Sequence, residues 1–177
     1  MRLQSCAQPI AAALEIRRRA MIEVEVFGAQ LAPDAPSDLT VKNLCVLAAA
    51  SAGVEDGHLA IEYVDGERIA QLNAEHRGKA GPTDVLSFPI DGAAPLNGPA
   101  SHDHPIDSSS SPGGAAPIDG PARELGDVVI CPEHTLDLRE AIVHGVLHLV
   151  GMDHETDNGE MLALQAELLK RSHPPGR

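Results

Sequence analysis

Short stretches of alternating apolar and polar residues predict the strands of a small sheet. In residues 22–27, Ile, Val and Val alternate with two Glu residues, and residues 58–64 alternate in a similar way. This is the period of a strand with one face on the core. A mostly apolar run over residues 125–131 predicts a buried strand, and residues 84–88 predict a fourth.

Four other segments carry apolar residues at the spacing of an amphipathic helix. Each begins beside a side chain that can cap free N–H groups. These capping residues are Ser37 or Asp38, Asp65, Asp137 and Asp157. In the last two helices a Glu three residues later, Glu140 or Glu160, completes the pattern of a capping box. Gly53 and Gly151 are predicted to end the first and third helices, the third covering residues 138–150.

Three segments fall outside these periodic patterns. Residues 1–20 place an apolar piece before basic residues, the reverse of a signal peptide, so we predict an N-terminal extension, with Met21 as an alternative start. Residues 91–121 are rich in Gly, Pro, Ser and Ala and predict a disordered insertion. Residues 173–177 predict a tail. We therefore expect one domain over residues 21–172.

Composition limits the classes of function. The 177 residues are 43% hydrophobic and 22% charged, as in a soluble domain, and no apolar run approaches membrane-spanning length. The net charge of −13 repels nucleic acid at long range, so any phosphate contact must be local. The three cysteines are scattered and odd in number, which argues against a disulfide framework and favours the cytoplasm.

Three histidines near the C-terminus predict a metal site. His144 and His148 are four residues apart, so a helix places both imidazoles on one face. A left-handed turn at Gly151 would bring His154 back towards them. Three neutral nitrogen ligands without a fourth protein ligand are typical of a catalytic Zn²⁺ that keeps a position for water. We predict one zinc ion per chain on this helix and turn.

The same histidine offsets occur in metzincin proteases, with one difference. Gly145 stands where the H-E-x-x-H motif has its Glu general base. The pattern therefore predicts a metal that activates water or polarises an oxygen, and leaves a metzincin-like protease without the usual base as an alternative.

A basic turn precedes the predicted strand at residues 84–88. Arg77 and Lys79 flank Gly78 in a strongly acidic chain, an arrangement suited to a phosphate, since Arg offers a bidentate fork and Gly exposes backbone amides. The other interpretation of such a turn is a solvated loop.

Taken together, three segments resemble the YbeY family of rRNA maturation endoribonucleases. The first contains Leu72-Asn73, Arg77-Gly78-Lys79 and Pro82 to Pro89, the second runs from Gly126 to Cys131, and the third is His144-Gly145-x-Leu147-His148-Leu149-x-Gly151-x-Asp153-His154. The resemblance covers most of residues 21–169.

The resemblance implies an α+β fold, with a small mixed four-stranded sheet packed with about four to five helices. It implies a zinc-dependent, single-strand-specific endoribonuclease of the cytoplasm, acting in 16S rRNA 3′-end maturation and ribosome quality control. His144, His148 and His154 carry over as zinc ligands and Arg77 as the functionally required arginine. The implied partners are rRNA in the small ribosomal subunit, an Era-type GTPase and a small-subunit ribosomal protein, with no role for a membrane or DNA.

The chemistry leaves alternatives open. We expect Arg77 to neutralise charge on the transition state and Lys79 to contact phosphate. Asp153 is expected to accept an imidazole N–H outside the metal shell. Asp153 and Glu155 are also near enough in sequence to be considered as the general base, while zinc-bound hydroxide or the ribose 2′-OH could make a protein base unnecessary. The alternative function is a non-catalytic, zinc-containing ribosome-assembly factor.

The chain departs from the family pattern in three places. Only twelve residues separate Cys131 from His144, where members usually have a longer helical segment. The insertion at residues 91–121 is larger than usual, and Met152 stands where Tyr is common.

Overall fold

The computed structural model describes residues 22–90 and 123–172. The predicted extension at residues 1–20, the predicted insertion at residues 91–121 and the predicted tail at residues 173–177 lie outside the described residues. The proposed division of the chain into an extension, one domain and a tail therefore stays a prediction.

The described strands form one mixed sheet. They are β1 (Ile22–Phe27), β2 (Gly57–Tyr63), β3 (Val85–Pro89) and β4 (Glu124–Ile130). Their order across the sheet is β1-β2-β4-β3. The β1–β2 and β2–β4 pairs are parallel, whereas β3 runs antiparallel to β4. The strand β3 thus lies at one edge, where its outer side is accessible to other elements.

Four α-helices accompany this sheet in the described ranges. They are α1 (Asp38–Ser51), α2 (Gly66–Arg77), α3 (Leu138–Leu149) and α4 (Glu160–Ser172), with single turns of 3-10 helix at Ala29–Leu31 and Pro132–His134. The predicted α+β class, with a mixed four-stranded sheet, is confirmed. None of these helices combines the length and apolar character needed to cross a bilayer.

The predicted caps explain where the helices begin. Ser37 Oγ accepts the Thr40 N–H at the start of α1, and Asp65 Oδ1 accepts an N–H at the start of α2. Asp137 caps α3 through the N–H groups of the second and third helical residues. Glu140 differs from the capping-box prediction, because its carboxylate accepts a hydrogen bond from Gln165 Nε2 at 2.9 Å. A side chain of α4 thus hydrogen-bonds the Glu140 carboxylate, which the sequence spacing had assigned to a contact at the start of α3.

Apolar side chains cover both faces of the sheet. Alternate residues of a strand point to opposite faces, so the neighbours Val128 and Val129 of β4 belong to different clusters. The larger cluster, beneath α1, α3 and α4, includes Leu44, Ile61, Val128, Ile142, Leu147 and Leu168. The smaller cluster, beneath α2, contains Val64, Ile69, Leu72, Leu86, Val129 and Cys131. The helices α2 and α3 both contact the edge strand β3, which is where the candidate site lies.

Candidate metal centre and cleft

Two of the predicted ligands lie one helical turn apart on α3. The ring centroids of His144 and His148 are 4.7 Å apart, and their Nε2 atoms are separated by 3.2 Å. Both side chains are half-buried. The spacing of four residues has thus placed two nitrogen atoms towards one point on the same helix face.

The turn after α3 brings the third imidazole to the same place. Gly151 has φ of +90°, a left-handed conformation that favours glycine, and its N–H donates to the His148 carbonyl. The chain reverses there, and the His154 ring centroid lies 5.1 Å from that of His144 and 5.2 Å from that of His148. One ligand atom from each ring lies within 4.8 Å of the other two.

A buried glutamine on α4 orients the first histidine. Gln165 is only 6% exposed, and its Oε1 lies 2.9 Å from His144 Nδ1. Its Nε2 donates to Glu140, which assigns Oε1 as the atom that accepts the His144 Nδ1–H. The proton is thereby held on Nδ1, and Nε2 keeps its lone pair for a metal. The sequence interpretation did not include Gln165. Its only signal was a polar residue on the inward face of α4, between Met161 and Leu168.

The electrostatics of the cluster suit a cation. Burial lowers the pKa of His148, and the neighbouring imidazoles of His144 and His154 lower it further. The neutral ring that results is the form that binds a metal ion. Three neutral nitrogen donors, one with a fixed tautomer, fit the predicted zinc ion in number and type.

The three imidazoles open into a cleft of about 430 Å³. The cleft is lined by Arg77, Thr83, Asp84, Val85, Ser87, His144, His148, Asp153, His154 and Glu155. Arg77, predicted from a different part of the sequence, therefore shares a cavity with the histidines. Lys79 is exposed and is not among the described residues that line this cleft. A larger cavity of about 620 Å³ around Leu136 and Pro33 contains neither described group of potential metal ligands.

The end of α2 positions Arg77 at the cleft. Arg77 is the last residue of the helix, and Gly78 follows with φ of +65°, which turns the chain away from the helix axis. Asn73, one turn earlier, is 6% exposed and donates through Nδ2 to the Gly81 carbonyl at 2.9 Å. This hydrogen bond fixes the loop between α2 and β3. The loop then delivers Thr83 and Asp84 to the cleft wall.

Asp153 lines the cleft, but the hydrogen bond found for its carboxylate is local. Its Oδ1 accepts the N–H of Glu155 at 2.9 Å, which shapes the turn that carries His154. In this cluster of three histidines, the side-chain hydrogen bond to the Nδ1–H of His144 is made by Gln165. The predicted contact from Asp153 to an imidazole stays a prediction.

Gly145 allows α3 to approach the sheet closely. A Cβ atom at this position would lie 2.3 Å from Val128 Cγ1 and 3.3 Å from Ser87 Oγ. Ser87 Oγ also donates to the Gly145 carbonyl at 3.1 Å, joining the helix to the edge strand. The face that carries residue 145 is therefore packed against the sheet, next to the cleft and not in it.

Comparison with known proteins adds a family assignment to this geometry. Residues 33–173 match the sequence model of a family described as endoribonuclease YbeY. The chain belongs to the YbeY family. It is 37% identical over 122 residues to the endoribonuclease YbeY of Nautilia profundicola, covering 68% of this chain and 76% of that protein. Identity to the Nocardia farcinica endoribonuclease YbeY is 35% over 159 residues, or 80% of this chain and 78% of that one.

A third YbeY relative confirms that the likeness extends over most of the chain. The endoribonuclease YbeY of a Sulfurihydrogenibium species is 33% identical over 153 residues, which cover 80% of this chain and 82% of that protein. The family match covers residues 33–90 and 123–172 of the described ranges and includes the three histidines, Arg77 and Gln165. The resemblance inferred from three sequence segments is thus confirmed as YbeY membership.

Proposed function

We propose that this YbeY protein is a zinc-dependent endoribonuclease that cleaves single-stranded RNA. The observation that carries the proposal is the shared cleft, in which the three imidazoles and the Arg77 guanidinium face one space. The family and the curated relatives bear the name endoribonuclease, which supports RNA as the substrate class.

His144, His148 and His154 would hold the zinc ion. When bound, it would supply a Lewis acid and an acidified water next to the scissile phosphate. Gln165 keeps the His144 ring in the required tautomer through its hydrogen bond to Nδ1. Arg77 binds a non-bridging phosphate oxygen and neutralises the charge that builds there as the bond breaks.

Three carboxylates line the cleft and limit the choice of a protein base. Asp84 Oδ1 accepts hydrogen bonds from Thr83 Oγ1 and the Val85 N–H, and Asp153 Oδ1 accepts one from Glu155. These bonds orient the two carboxylates within the wall. In the proposed mechanism one of these carboxylates accepts the proton of the attacking group, which is a water molecule or the 2′-OH of the substrate.

The biological setting follows the family. The proposed substrate is the 3′ end of 16S rRNA in the small ribosomal subunit, with roles in its maturation and in ribosome quality control in the cytoplasm. The proposed partners are an Era-type GTPase and a small-subunit ribosomal protein. A net charge of −13 works against binding free RNA, so partner proteins would supply part of the affinity for the ribosome.

The same charge favours a second candidate function. A protein with 26 acidic and 13 basic residues could act as a ribosome-assembly factor that binds proteins and uses zinc only to hold its fold. That function predicts that zinc removal unfolds the domain, and that zinc-loaded protein binds ribosomal particles without cutting RNA. The two functions therefore differ in a measurable product.

The decisive experiment measures cleavage of a single-stranded RNA containing the 3′ end of 16S rRNA, both free and within small ribosomal subunits. Wild type of measured zinc content is compared with Arg77→Ala and His148→Ala. The matched control is Arg68→Ala, since Arg68 is on the same helix and hydrogen-bonds Gln71.

We expect cleavage by wild type and Arg68→Ala, and strong loss in the other two variants. Arg77→Ala should retain its zinc, whereas His148→Ala should lose it. Absence of cleavage on both substrates by zinc-replete wild type would refute the nuclease and favour the assembly factor.

A further inference from the structure

A second group of metal-binding side chains lies on the turn that joins β4 to α3. Cys131, Glu133 and His134 each present a donor atom, and these three atoms lie within 4.8 Å of one another. The sequence is Cys-Pro-Glu-His, a C-x-x-H spacing on the short connection where this chain departs from the family pattern. The zinc site of the proposed nuclease does not include these residues.

The turn is held by hydrogen bonds that are independent of any ion. The residues Pro132–His134 form a turn of 3-10 helix, and the His134 N–H donates to the Cys131 carbonyl at 3.1 Å. Thr135 Oγ1 donates to the same carbonyl at 2.8 Å, and the Cys131 N–H donates to the Asp84 carbonyl at 2.8 Å. The backbone that carries the three donors is therefore preorganised, which reduces the entropy cost of binding.

The surroundings of the donors leave room for an ion. Gly66, the first residue of α2, faces the group, and a Cβ there would lie 3.2 Å from Glu133 Oε2 and 3.3 Å from His134 Nε2. Because Gly66 lacks this atom, its backbone leaves open the space beside the two donors. Glu133 and His134 are exposed, so their side chains can rotate, while Cys131 is fully buried beneath them.

The donor types select a class of metal. Thiolate, imidazole and carboxylate together are the ligands of Zn²⁺ and similar late divalent ions, whereas Mg²⁺ and Ca²⁺ prefer oxygen atoms alone. Tetrahedral bonds of about 2.0 to 2.3 Å place donors about 3.3 to 3.8 Å apart, so small rotations of the exposed side chains would close the observed group. Packing in the smaller core cluster accounts for a buried Cys131, but it does not account for two polar donors turned towards the sulfur.

We propose that Cys131, Glu133 and His134 form a second binding site for a zinc-class divalent ion, separate from the three-histidine site. Its fourth position is left to water. Binding replaces the thiol proton of Cys131, which passes to solvent, with a metal–sulfur bond. Burial raises the pKa of Cys131 above its ordinary value, and hydrogen bonds from the backbone amides of Glu133 and His134 oppose this rise in part.

The site would join two parts of the fold that carry the cleft. The turn lies at the start of the connection from β4 to α3, and its Cys131 N–H donates to the carbonyl of Asp84, a residue that lines the cleft. An ion on this turn would therefore stabilise the start of α3 and the entrance to β3 together. The inferred role is structural, and it holds whether or not the protein cleaves RNA.

Cobalt distinguishes the two sites, because only the second one contains sulfur. Reduced, metal-free protein is titrated with Co²⁺, and the near-ultraviolet charge-transfer absorption from thiolate to cobalt is recorded. Total bound metal is measured by elemental analysis. The variants are Cys131→Ser and His134→Ala, with Cys45→Ser and Cys6→Ser as matched cysteine controls and His148→Ala to remove the first site.

We expect two metal equivalents in wild type, one of which gives the charge-transfer absorption. Cys131→Ser should lose this absorption and one equivalent, while both control cysteine variants and His148→Ala keep the absorption. If Cys131→Ser does not fold, the exposed His134→Ala variant decides, since it should bind this cobalt at least tenfold more weakly. Wild type without the absorption, or an absorption that survives in Cys131→Ser or is unchanged in His134→Ala, would overturn the proposal.

Discussion

Replacing Gln165 with Leu tests whether the amide organises the metal centre. The wild-type side chain is 6% exposed and makes two hydrogen bonds of 2.9 Å, one with His144 Nδ1 and one with Glu140. Leucine has a similar volume, so packing is preserved, and the exposed Glu140 can bind water instead. The Nδ1–H of the half-buried His144 loses its protein partner, and the ring becomes free to change tautomer or rotate.

The expected cost therefore falls on metal binding more than on folding. Loss of a partner of this kind typically weakens metal affinity about 10- to 100-fold, or about 1.4 to 2.7 kcal/mol. We expect Gln165→Leu to show this loss in competition with a chromophoric zinc chelator. The metal-free protein should unfold within about 1 kcal/mol of wild type in urea.

Two further variants make this test specific. Gln165→Glu retains an oxygen that can accept the His144 proton, so it should recover part of the affinity. Gln71→Leu changes an exposed glutamine on α2 and should bind zinc as wild type does. If Gln165→Leu is folded and binds zinc with wild-type affinity, the hydrogen bond does not organise the site, and the reasoning is wrong.

Two other predictions concern charge. Arg77→Ala should lower kcat for RNA cleavage about 10²- to 10³-fold. Lys79 is not among the described residues that line the cleft, so Lys79→Ala should lower kcat less than about tenfold. Equal losses in the two variants would place Lys79 against the phosphate. His58 lies 2.9 Å from Glu124 and 3.5 Å from Glu25, and the Glu124 hydrogen bond is the main cause that raises its pKa above 6.5. The pair of charged His58 and Glu124 should stabilise the fold by at most about 1 kcal/mol below pH 6.5, and this effect should be lost as pH rises through the raised pKa of His58. The free energies of unfolding in urea of wild type and His58→Gln should therefore converge at high pH. A difference that stays constant with pH would contradict the raised pKa of His58.

Interactions between residues that are close in sequence made much of this fold predictable. The caps at Ser37, Asp65 and Asp137 were recognisable because their acceptors lie within three residues of the donors. The metal helix was equally clear, since a spacing of four residues fixes the relative direction of His144 and His148. Each of these features depends on one short segment, so it can be predicted from the sequence of that segment alone.

Contacts between distant elements were not predictable in the same way. Gln165 is 21 residues from His144, and its role depends on how α4 packs against α3. The same packing takes Glu140 out of its expected capping box. Arg77 shares a cleft with the histidines because α2 and α3 both contact the edge strand β3. A buried amide such as Gln165 does not follow a recognisable sequence spacing. The order of strands in a sheet cannot be predicted from the periodicity of a single strand.

The position of Gly145 bears on the protease alternative. In the H-E-x-x-H motif the residue after the first His must project a carboxylate towards metal-bound water. Here a Cβ at position 145 would already lie 2.3 Å from Val128 Cγ1, a fully buried and β-branched side chain that cannot rotate away freely. The chain thus lacks the Glu of the protease motif, and position 145 also lacks the space for its side chain.

Restoring the motif by Gly145→Glu should therefore not create a protease. We expect overpacking against Val128 to lower the free energy of unfolding by about 1 to 3 kcal/mol or more, with an added cost if the carboxylate is buried. Gly145→Ala should show the steric part of this loss alone, because it adds only the Cβ. Casein hydrolysis by both variants, at measured zinc content, should stay at the background set by His148→Ala. A folded, zinc-loaded Gly145→Glu protein that hydrolyses casein would show that residue 145 can reach the cleft, and that the protease alternative differs from this YbeY protein by one side chain alone.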